Sequence, residues 1–217
     1  MPEPEPKSHS AWRAAAAAPF AAQAQHLDIA VAVLSRAFDA DPVTDWYLRA
    51  DGRRAWALRN QFVGILGGWA LALGHTYLAQ DGGACAVFLP PDPHPEMRGA
   101  MEWLQLLRRV RRNTGWARLD RVVRLIAAMD RHHPKQPAHY YLWFLGVDPD
   151  RAGRGVGSIL LDAVLGGYDR EGVPTYLENS NPKNRGFYER LGYRSRGEYR
   201  PLFGGPPLDP MWRPAKA

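Results

Sequence analysis

Length and composition predict one globular domain with its own core. The chain has 217 residues, enough for one ordinary domain and a tail but too few for two full domains. It is 46% hydrophobic and 11% aromatic, and no apolar run reaches the ~18 residues of a membrane span. The single cysteine, Cys85, excludes an intrachain disulfide and is interpreted as a buried small hydrophobe, so we expect a cytoplasmic protein.

The N-terminal third combines helical and extended patterns. Residues 1–25 are rich in Pro, Glu, Ser and Ala, lack the features of a secretory signal, and predict a disordered or loosely ordered tail. Helical apolar spacing runs from His26 to the turn at Pro42, and residues 52–73 predict a second helix. The stretch HTYLAQDGGACAVFLPP then predicts a β-hairpin that turns at residues 81–83.

A helical, arginine-rich segment follows at residues 95–133, and the net charge of the chain is +6. The segment predicts two helices broken near residues 113–115 and carries Arg98, Arg108, Arg109, Arg111, Arg112, Arg118, Arg121, Arg124 and Arg131. A solvated helical face is the favoured interpretation, and a preference for anionic ligands comes second. Nucleic-acid binding with Trp103 and Trp116 is a third hypothesis, although no recognition motif accompanies these residues.

Residues 138–193 carry the strongest pattern. The run AHYYLWFLGVDP predicts a central strand buried on both faces, followed by a glycine-rich loop and a helix from Val156 to Tyr168. The runs VPTYLENS, PKNRGFYERLG and YRSRGEYR predict a strand, a short helix and a strand, and PPLDPMWRP can add one more. Because helices and strands mix without internal repeats, residues 26–217 are predicted to form one mixed α/β domain.

The glycine-rich loop has the features of an anion site. Gly153, Gly155 and Gly157 occupy every second position, with Arg151 and Arg154 among them. The first N–H groups of a helix have no intrahelical partner, and the helix dipole adds positive charge at that end. Since glycines let an anion approach the backbone closely, the loop predicts a pyrophosphate site. The spacing G-x-G-x-G fits neither a dinucleotide-binding turn nor a Walker loop, and a tight turn without a ligand is the alternative.

Two motifs resemble those of GNAT superfamily N-acetyltransferases. LGVDPDRAGRGVGSILL resembles the superfamily's acyl-CoA-binding motif, V-x-P-x-x-[QR]-G-x-G-x-[GA], and NPKNRGFYERLGY resembles its second signature. The likeness is greatest to the puromycin N-acetyltransferase-like branch; it covers residues 27–213 and is strongest over 133–193. The chain departs from the pattern at Ala152, where the motif has Gln or Arg, and shows no evident first strand before His26.

This resemblance implies a GNAT-like fold, in which a mostly antiparallel central sheet is flanked by helices and splayed apart at the strand over residues 140–147. Acetyl-CoA would enter the wedge as co-substrate, with its pantetheine along this strand and its pyrophosphate on the N–H groups of residues 154–158. The residues implied in acetyl-CoA binding are Leu145, Gly146, Val147, Arg151, Gly153, Arg154, Gly155, Val156, Gly157, Ser158, Asn181, Asn184 and Tyr188. Asn181 equally suits a cap for the helix that begins at Pro182.

Acetyl transfer to an amine needs a polarised thioester carbonyl, a base for the amine and an acid for the leaving thiolate. A backbone N–H near residues 145–147 suits the developing oxyanion, and the resemblance implies Tyr188 as the acid. Glu178, at the end of an apolar strand, is the first candidate base, with an ordinary structural carboxylate as an equal alternative. His139 is the second candidate, although packing or capping is favoured for it.

The predicted function is therefore an acetyl-CoA-dependent N-acetyltransferase that modifies a primary amine of a small molecule by direct attack in a ternary complex. A non-catalytic acyl-CoA-binding sensor is the alternative. Acidic residues around the Pro42 turn either attract a cationic acceptor or only shape the turn, and these are Asp39, Asp41 and Asp45. His132 and His133 lack a ligand-spaced partner, so no metal is predicted. The sequence specifies neither the acceptor nor whether the protein is a homodimer.

Overall fold

A computed structural model describes residues 8–91, 100–201 and 204–216. Within them one seven-stranded sheet has the order β1-β2-β3-β4-β5-β7-β6. The parallel pair is β4 with β5, and the other neighbours are antiparallel. The strands are β1 (Phe20–Ala21), β2 (Thr76–Leu78), β3 (Ala84–Leu89), β4 (Tyr140–Val147), β5 (Thr175–Asn179), β6 (Arg194–Ser195) and β7 (Asp209–Arg213).

Helices cover both faces of the sheet. They are α1 (His9–Ala17), α2 (Leu27–Ala37), α3 (Pro42–Tyr47), α4 (Arg54–Gly68), α5 (Ala100–Thr114), α6 (Leu119–His132), α7 (Val156–Arg170) and α8 (Arg185–Arg190). The predicted mixed α/β class, with a mostly antiparallel sheet flanked by helices, is confirmed. None of the helices in the described ranges is long and apolar enough to cross a bilayer.

Strand β3 explains how two cores share one sheet. All six of its residues are buried, and successive side chains of a strand point to opposite faces. Ala86 and Phe88 therefore belong to the core beneath α7, whereas Cys85 and Val87 belong to the core beneath α2 and α4. Truncating a fully buried side chain such as Phe88 to Ala costs about 3–5 kcal/mol. Cys85 is buried as expected, and burial raises the pKa of its thiol.

The N-terminal segment differs from its predicted state. Helix α1 packs on α7 and buries Ala16 completely, and Phe20 of β1 pairs with Leu78 of β2. The backbone N–H of Gln80 donates to the carbonyl of Ala15 at 3.0 Å. The prediction of a loosely ordered tail is therefore wrong for residues 9–21, because small alanine side chains let α1 approach α7 closely. The first strand, which the sequence pattern does not reveal, is β1.

The middle of the chain follows its predicted elements. The hairpin of β2 and β3 turns at residues 81–83, and the arginine-rich segment forms two helices that break near Gly115. The second predicted helix is α4, which ends at Gly68 and continues as a 3₁₀ turn over residues 70–73. Residues 92–99, including Arg98 at the start of the arginine-rich segment, lie outside the described residues.

Candidate active site

A wedge opens in the middle of the sheet between the two parallel strands. β4 pairs with β5 only from Tyr140–Thr175 to Leu142–Leu177, although β4 continues to Val147. The pairing of β4 with β3 shifts register beside Trp143, which is an extra residue on β4. Such a bulge bends a strand and increases its twist. From Trp143 onward, the edge of β4 that would face β5 is therefore unpaired.

The wedge contains a cleft with a volume of about 260 Å³. It is lined from the β4 side, from the end of α2 and from the end of β5, by Ala37, Phe38, Ala40, Asp41, Leu142, Trp143, Leu145, Leu177, Glu178, Asn179, Ser180, Asn181, Asn184 and Tyr188. Trp143, Phe144 and Leu145 are only partly buried. The prediction that this strand is buried on both faces is therefore wrong for its second half, because that half borders the cleft.

The glycine loop leads from β4 into α7. Gly155 is the N-cap residue of α7, has a φ of 78° and provides no side-chain cap. The first intrahelical bond runs from the N–H of Ile159 to the carbonyl of Gly155 at 3.1 Å. The N–H groups of Val156, Gly157 and Ser158 consequently have no intrahelical acceptor. This is the geometry of an anion-binding helix N-terminus.

Gly157 has a second reason to lack a side chain. A Cβ at this position would lie 3.1 Å from the Val147 side chain and 3.5 Å from the Phe187 ring. The glycine therefore lets α7 pack directly against β4 and α8. Gly146 pairs with Cys85 of β3 and lies against α2, so it also serves close packing.

The two arginines of the loop have different surroundings. Arg151 pairs with Asp81 of the β2–β3 hairpin at 2.5 Å, and its guanidinium lies 5.3 Å from the centre of the Trp12 ring. Asp81 is almost completely buried. The expected role of Arg151 as an anion contact is therefore not supported, because its charge is already paired with Asp81. Arg154 is exposed at the loop.

The second signature forms the far wall of the cleft. Tyr188 of α8 lines the cleft and is 9% exposed, and burial raises the pKa of its phenol. Asn181 accepts a hydrogen bond from the N–H of Lys183 at 3.1 Å, so its capping interpretation is confirmed, and it also lines the cleft. Asn184 lies beside it in the same wall.

Glu178 is held by three phenols. Tyr199 and Tyr176 donate to Oε1 at 2.7 and 3.2 Å, and Tyr141 donates to Oε2 at 2.9 Å. Burial raises the pKa of Glu178, and the three donated bonds oppose that rise because they favour the carboxylate. Glu178 is thus a cleft carboxyl group with a raised pKa and a fixed orientation.

His139 lies away from the cleft. Its Nδ1–H donates to the carbonyl of Pro137 at 2.9 Å, which leaves Nε2 to accept from Nε2 of His133 at 3.2 Å. The ring packs edge-on against Trp212. His139 precedes the first residue of β4, whereas the wedge opens at Trp143, roughly 13 Å along the strand. The structure therefore does not bring His139 to the cleft where a base for the amine would act, and its contacts favour the packing alternative.

One of the three acidic residues near Pro42 reaches the cleft. Asp41 lines it, caps α3 by accepting from the N–H of Thr44 at 2.8 Å, and accepts a hydrogen bond from the hydroxyl of Ser180. Asp39 and Asp45 instead form ion pairs with Arg54 of α4. Asp41 therefore joins the α2–α3 connection to the end of β5 across the cleft.

Two arginines of α6 and its preceding turn hold α3 in place. Arg118 donates to the carbonyls of Asp45 and Leu48 at 2.7 and 2.5 Å, and Arg121 donates to the carbonyl of Trp46 at 2.8 Å. These carbonyls belong to the last turn of α3 and to the residue that follows it. The arginine-rich segment is therefore partly a clamp on α3, the helix that follows the cleft residue Asp41, as well as a solvated face.

Comparison with known families decides what kind of protein contains this wedge. The family model described as "Acetyltransferase (GNAT) family" matches residues 25–193. The chain belongs to this family. Members of this family transfer acyl groups to amines, generally with acetyl-CoA as donor.

One relative matches a short stretch of this GNAT chain. An uncharacterized N-acetyltransferase of Schizosaccharomyces pombe is 37% identical over 54 residues, which span 25% of this chain and 22% of that protein. The chain therefore spans about a fifth of the length of the curated relative it matches.

Solved structures match the fold over nearly the whole chain. A histone acetyltransferase HPA2 and related acetyltransferase from Corynebacterium glutamicum has a TM-score of 0.68 at 24% identity, covering 92% of this chain and 96% of that one. Arylalkylamine N-acetyltransferase 2 from Aedes aegypti has a TM-score of 0.63 at 12% identity, with coverages of 92% and 99%. A polyamine N-acetyltransferase of Drosophila melanogaster has a TM-score of 0.59 at 16% identity, with coverages of 91% and 99%. At these low sequence identities, the similarity to the three structures shows that this chain shares their fold.

The contacts around Glu178 and Asp41 in this GNAT cleft differ in how far the sequence predicts them. Tyr141 and Tyr176 are register partners on β4 and β5, and Glu178 follows Tyr176 on the same face. Strand alternation places Tyr176 and Glu178 together, so that pair was readable from the sequence. The bonds from Tyr199 to Glu178 and from Ser180 to Asp41 join residues that are distant in sequence. No local sequence pattern predicts either contact.

Proposed function

We propose that the chain transfers the acetyl group of acetyl-CoA to the primary amine of a small cationic molecule inside the β4–β5 cleft. The observation that carries the proposal is the parting of β4 from β5 beyond Leu142–Leu177, which leaves an unpaired strand edge facing Tyr188. A free strand edge and a buried acid in one cleft, with an anion site on the loop that follows the same strand, are the parts that acyl transfer from a thioester needs.

The residues of the cleft and loop fit acetyl-CoA. The free N–H groups at the start of α7 suit a pyrophosphate, and a Cβ at Gly157 would disturb the packing that positions them. The unpaired edge of β4 from Trp143 to Val147 suits the amide groups of pantetheine. When bound, acetyl-CoA supplies an acyl group activated as a thioester. The residues of the chain would hold that group, accept a proton from the amine and donate a proton to the leaving thiolate.

Tyr188 is the proposed acid. Burial raises the pKa of its phenol, so the hydroxyl stays protonated at neutral pH. Among the described residues the hydroxyl has no hydrogen bond that would hold its proton elsewhere. The sulfur that leaves as a thiolate needs a proton, and the same loss of solvation raises the basicity of a thiolate in this cleft.

Glu178 is the proposed base, with Asp41 as a second anionic group in the cleft. The raised pKa of Glu178 makes its carboxylate a better proton acceptor than an exposed one. Three phenols fix its orientation, and Oε2 accepts from Tyr141 alone of the three, so it can also accept from an amine. Two carboxyl groups on the acceptor side, one buried and one partly buried, favour a cationic acceptor.

The test combines calorimetric titration of acetyl-CoA with thiol release against a panel of small amines. Tyr188→Phe should lower kcat about 100-fold while leaving the Kd for acetyl-CoA unchanged, since only a proton donor is lost. Tyr193→Phe is the matched control, because Tyr193 is also buried but bonds to Thr175 outside the cleft. Equal kcat in wild type and Tyr188→Phe would contradict the acid role. Tight acetyl-CoA binding without thiol release from any amine would instead support the sensor alternative.

A further inference from the structure

One buried polar group in the cleft wall has no partner. Asn179, the last residue of β5, is 4% exposed and lines the cleft. Its side-chain oxygen accepts from the N–H of Asn181 at 3.3 Å, which identifies the other end of the amide as the nitrogen. That nitrogen, Nδ2, is buried and has no hydrogen-bond partner among the described residues.

An unpartnered buried donor of this kind is costly and rare in folded proteins. Four side chains in the described part of the chain carry a buried atom without a hydrogen-bond partner, namely Ser35, Arg54, Thr76 and Asn179, and that atom of Arg54 still forms an ion pair with Asp45. Of these four, Asn179 is the one that lines the cleft. Its unused donor therefore lies where an incoming ligand can supply the missing acceptor.

The position of Asn179 indicates which part of a ligand it meets. Leu142 of β4 pairs with Leu177 of β5, so two residues further along, the parallel register places Asn179 opposite Phe144, with the open wedge between them. Leu145 and Tyr188 line the same cleft. An extended chain lying along the free edge of β4 has the backbone of β4 on one side and Asn179 on the other.

We infer that Asn179 is a positioning residue whose Nδ2 donates a hydrogen bond to a carbonyl oxygen of the acyl-pantetheine arm of acetyl-CoA. This inference rests on the proposed function. An N–H₂ group only donates, so it suits a carbonyl oxygen and does not suit an ammonium group. The carbonyl is either that of the thioester or that of a pantetheine amide, and both offer the same acceptor chemistry. No bond is made or broken in this step, and the arm is held in place.

The experiment titrates acetyl-CoA and CoA separately into the wild type and into Asn179→Ala. The Kd for acetyl-CoA should rise about tenfold in the variant, because the ligand loses one hydrogen bond in a buried site. The melting temperature should change little, since the variant removes a buried donor that the free protein leaves unpaired along with the long 3.3 Å bond from the N–H of Asn181. A merely structural asparagine would give a lower melting temperature and unchanged Kd values.

Two further variants keep the result interpretable. Asn179→Leu preserves the size of the side chain and removes the donor, so it replaces Asn179→Ala if the smaller residue impairs folding. Thr76→Val removes another unpartnered buried donor, on β2 and outside the cleft, and should leave both Kd values unchanged.

The two ligands identify the carbonyl. Weakening of acetyl-CoA alone assigns the bond to the thioester carbonyl, which CoA lacks, and KM for acetyl-CoA should then rise with it. Equal weakening of acetyl-CoA and CoA assigns the bond to a pantetheine amide. If Asn179→Ala folds and its Kd values for acetyl-CoA and CoA both lie within twofold of wild type, the inference is overturned and the proposed function is unaffected. A folded wild type that binds neither ligand would overturn both.

Discussion

The two halves of the cleft are built in different ways. The half assigned to the acyl donor comes from one stretch of chain, from β4 through the glycine loop and α7 to α8, and its main features are backbone groups and small residues. The half assigned to the amine comes from the α2–α3 connection and β5, with Tyr199 from beyond α8 holding Glu178. A local motif thus specifies the first half, and long-range side-chain contacts specify the second.

This difference predicts how substitutions behave. In the donor half, a new side chain at a glycine blocks the backbone itself, so the effect is steric and large. In the acceptor half, each group is one member of a network, so a substitution weakens the site by about one hydrogen bond. Glycine-loop variants of the donor half should change acetyl-CoA binding. Acceptor-half variants should leave it unchanged, except at Asn179, which is inferred to hold the donor arm.

The largest expected effect belongs to Gly155→Asp. A carboxylate at the start of α7 would repel a bound pyrophosphate, and we expect the Kd for acetyl-CoA to rise roughly 1,000-fold by calorimetry. Gly172→Asp is the matched control, because Gly172 also has a positive φ and open space for a Cβ but lies at the other end of α7. Both variants should lose about 1–2 kcal/mol of stability from left-handed strain. Equal acetyl-CoA affinity in the two variants would contradict the anion site.

Glu178→Gln should lower kcat about 100-fold at neutral pH, because the amide cannot accept the proton of the amine. The acidic limb of the wild-type kcat/KM profile should lie above the ordinary pKa of a glutamate, and it should vanish in the variant. Tyr141→Phe sharpens the assignment, since losing one donor raises the pKa of Glu178 further and moves the limb to higher pH. A limb that stays in place in Glu178→Gln would contradict the base role.

Arg121→Met tests whether the arginine clamp supports the acceptor half. Losing the bond to the Trp46 carbonyl should raise KM for the amine about fivefold, with the Kd for acetyl-CoA unchanged. Steady-state kinetics measures the first quantity and calorimetry the second. Arg131→Met, in the exposed last turn of the same helix, should change neither. A rise in the acetyl-CoA Kd would show that the two halves are not independent.

The smallest expected effect is a pH dependence of stability from His133. Burial, together with neighbouring His139, lowers the pKa of His133 to about 4 in the folded chain, against 6.5 for an ordinary histidine. Its stabilising contribution is therefore complete above pH 6.5 and is lost as the pH falls toward 4, because the unfolded chain binds the proton first. His133→Phe should reduce the fall in melting temperature over this range by a few degrees. An identical fall in wild type and variant would exclude His133 as the cause.

Sequence patterns predicted the strand, the glycine loop and the helix of the donor half, because these depend on local spacing, and they did not predict the long-range contacts. The glycine spacing, the helix start at Val156 and the placement of Tyr188 depend on residues close together in the chain. Arg151 and Asp81 are 70 positions apart, and no periodic pattern in the sequence predicts that they pair. His139 was misplaced because a strand pattern does not say which end of the strand borders a cleft.

Helix α1 connects the start of the chain to the glycine loop. The ring of Trp12 on α1 packs against the guanidinium of Arg151, which also forms an ion pair with Asp81. A ligand that orders the loop and a helix that packs on the loop's arginine are thermodynamically linked, so each should stabilise the other. Acetyl-CoA should therefore slow amide hydrogen exchange in α1. By the same linkage, a chain shortened by its first 17 residues should bind the donor more weakly, although α1 contributes no residue to the lining of the cleft.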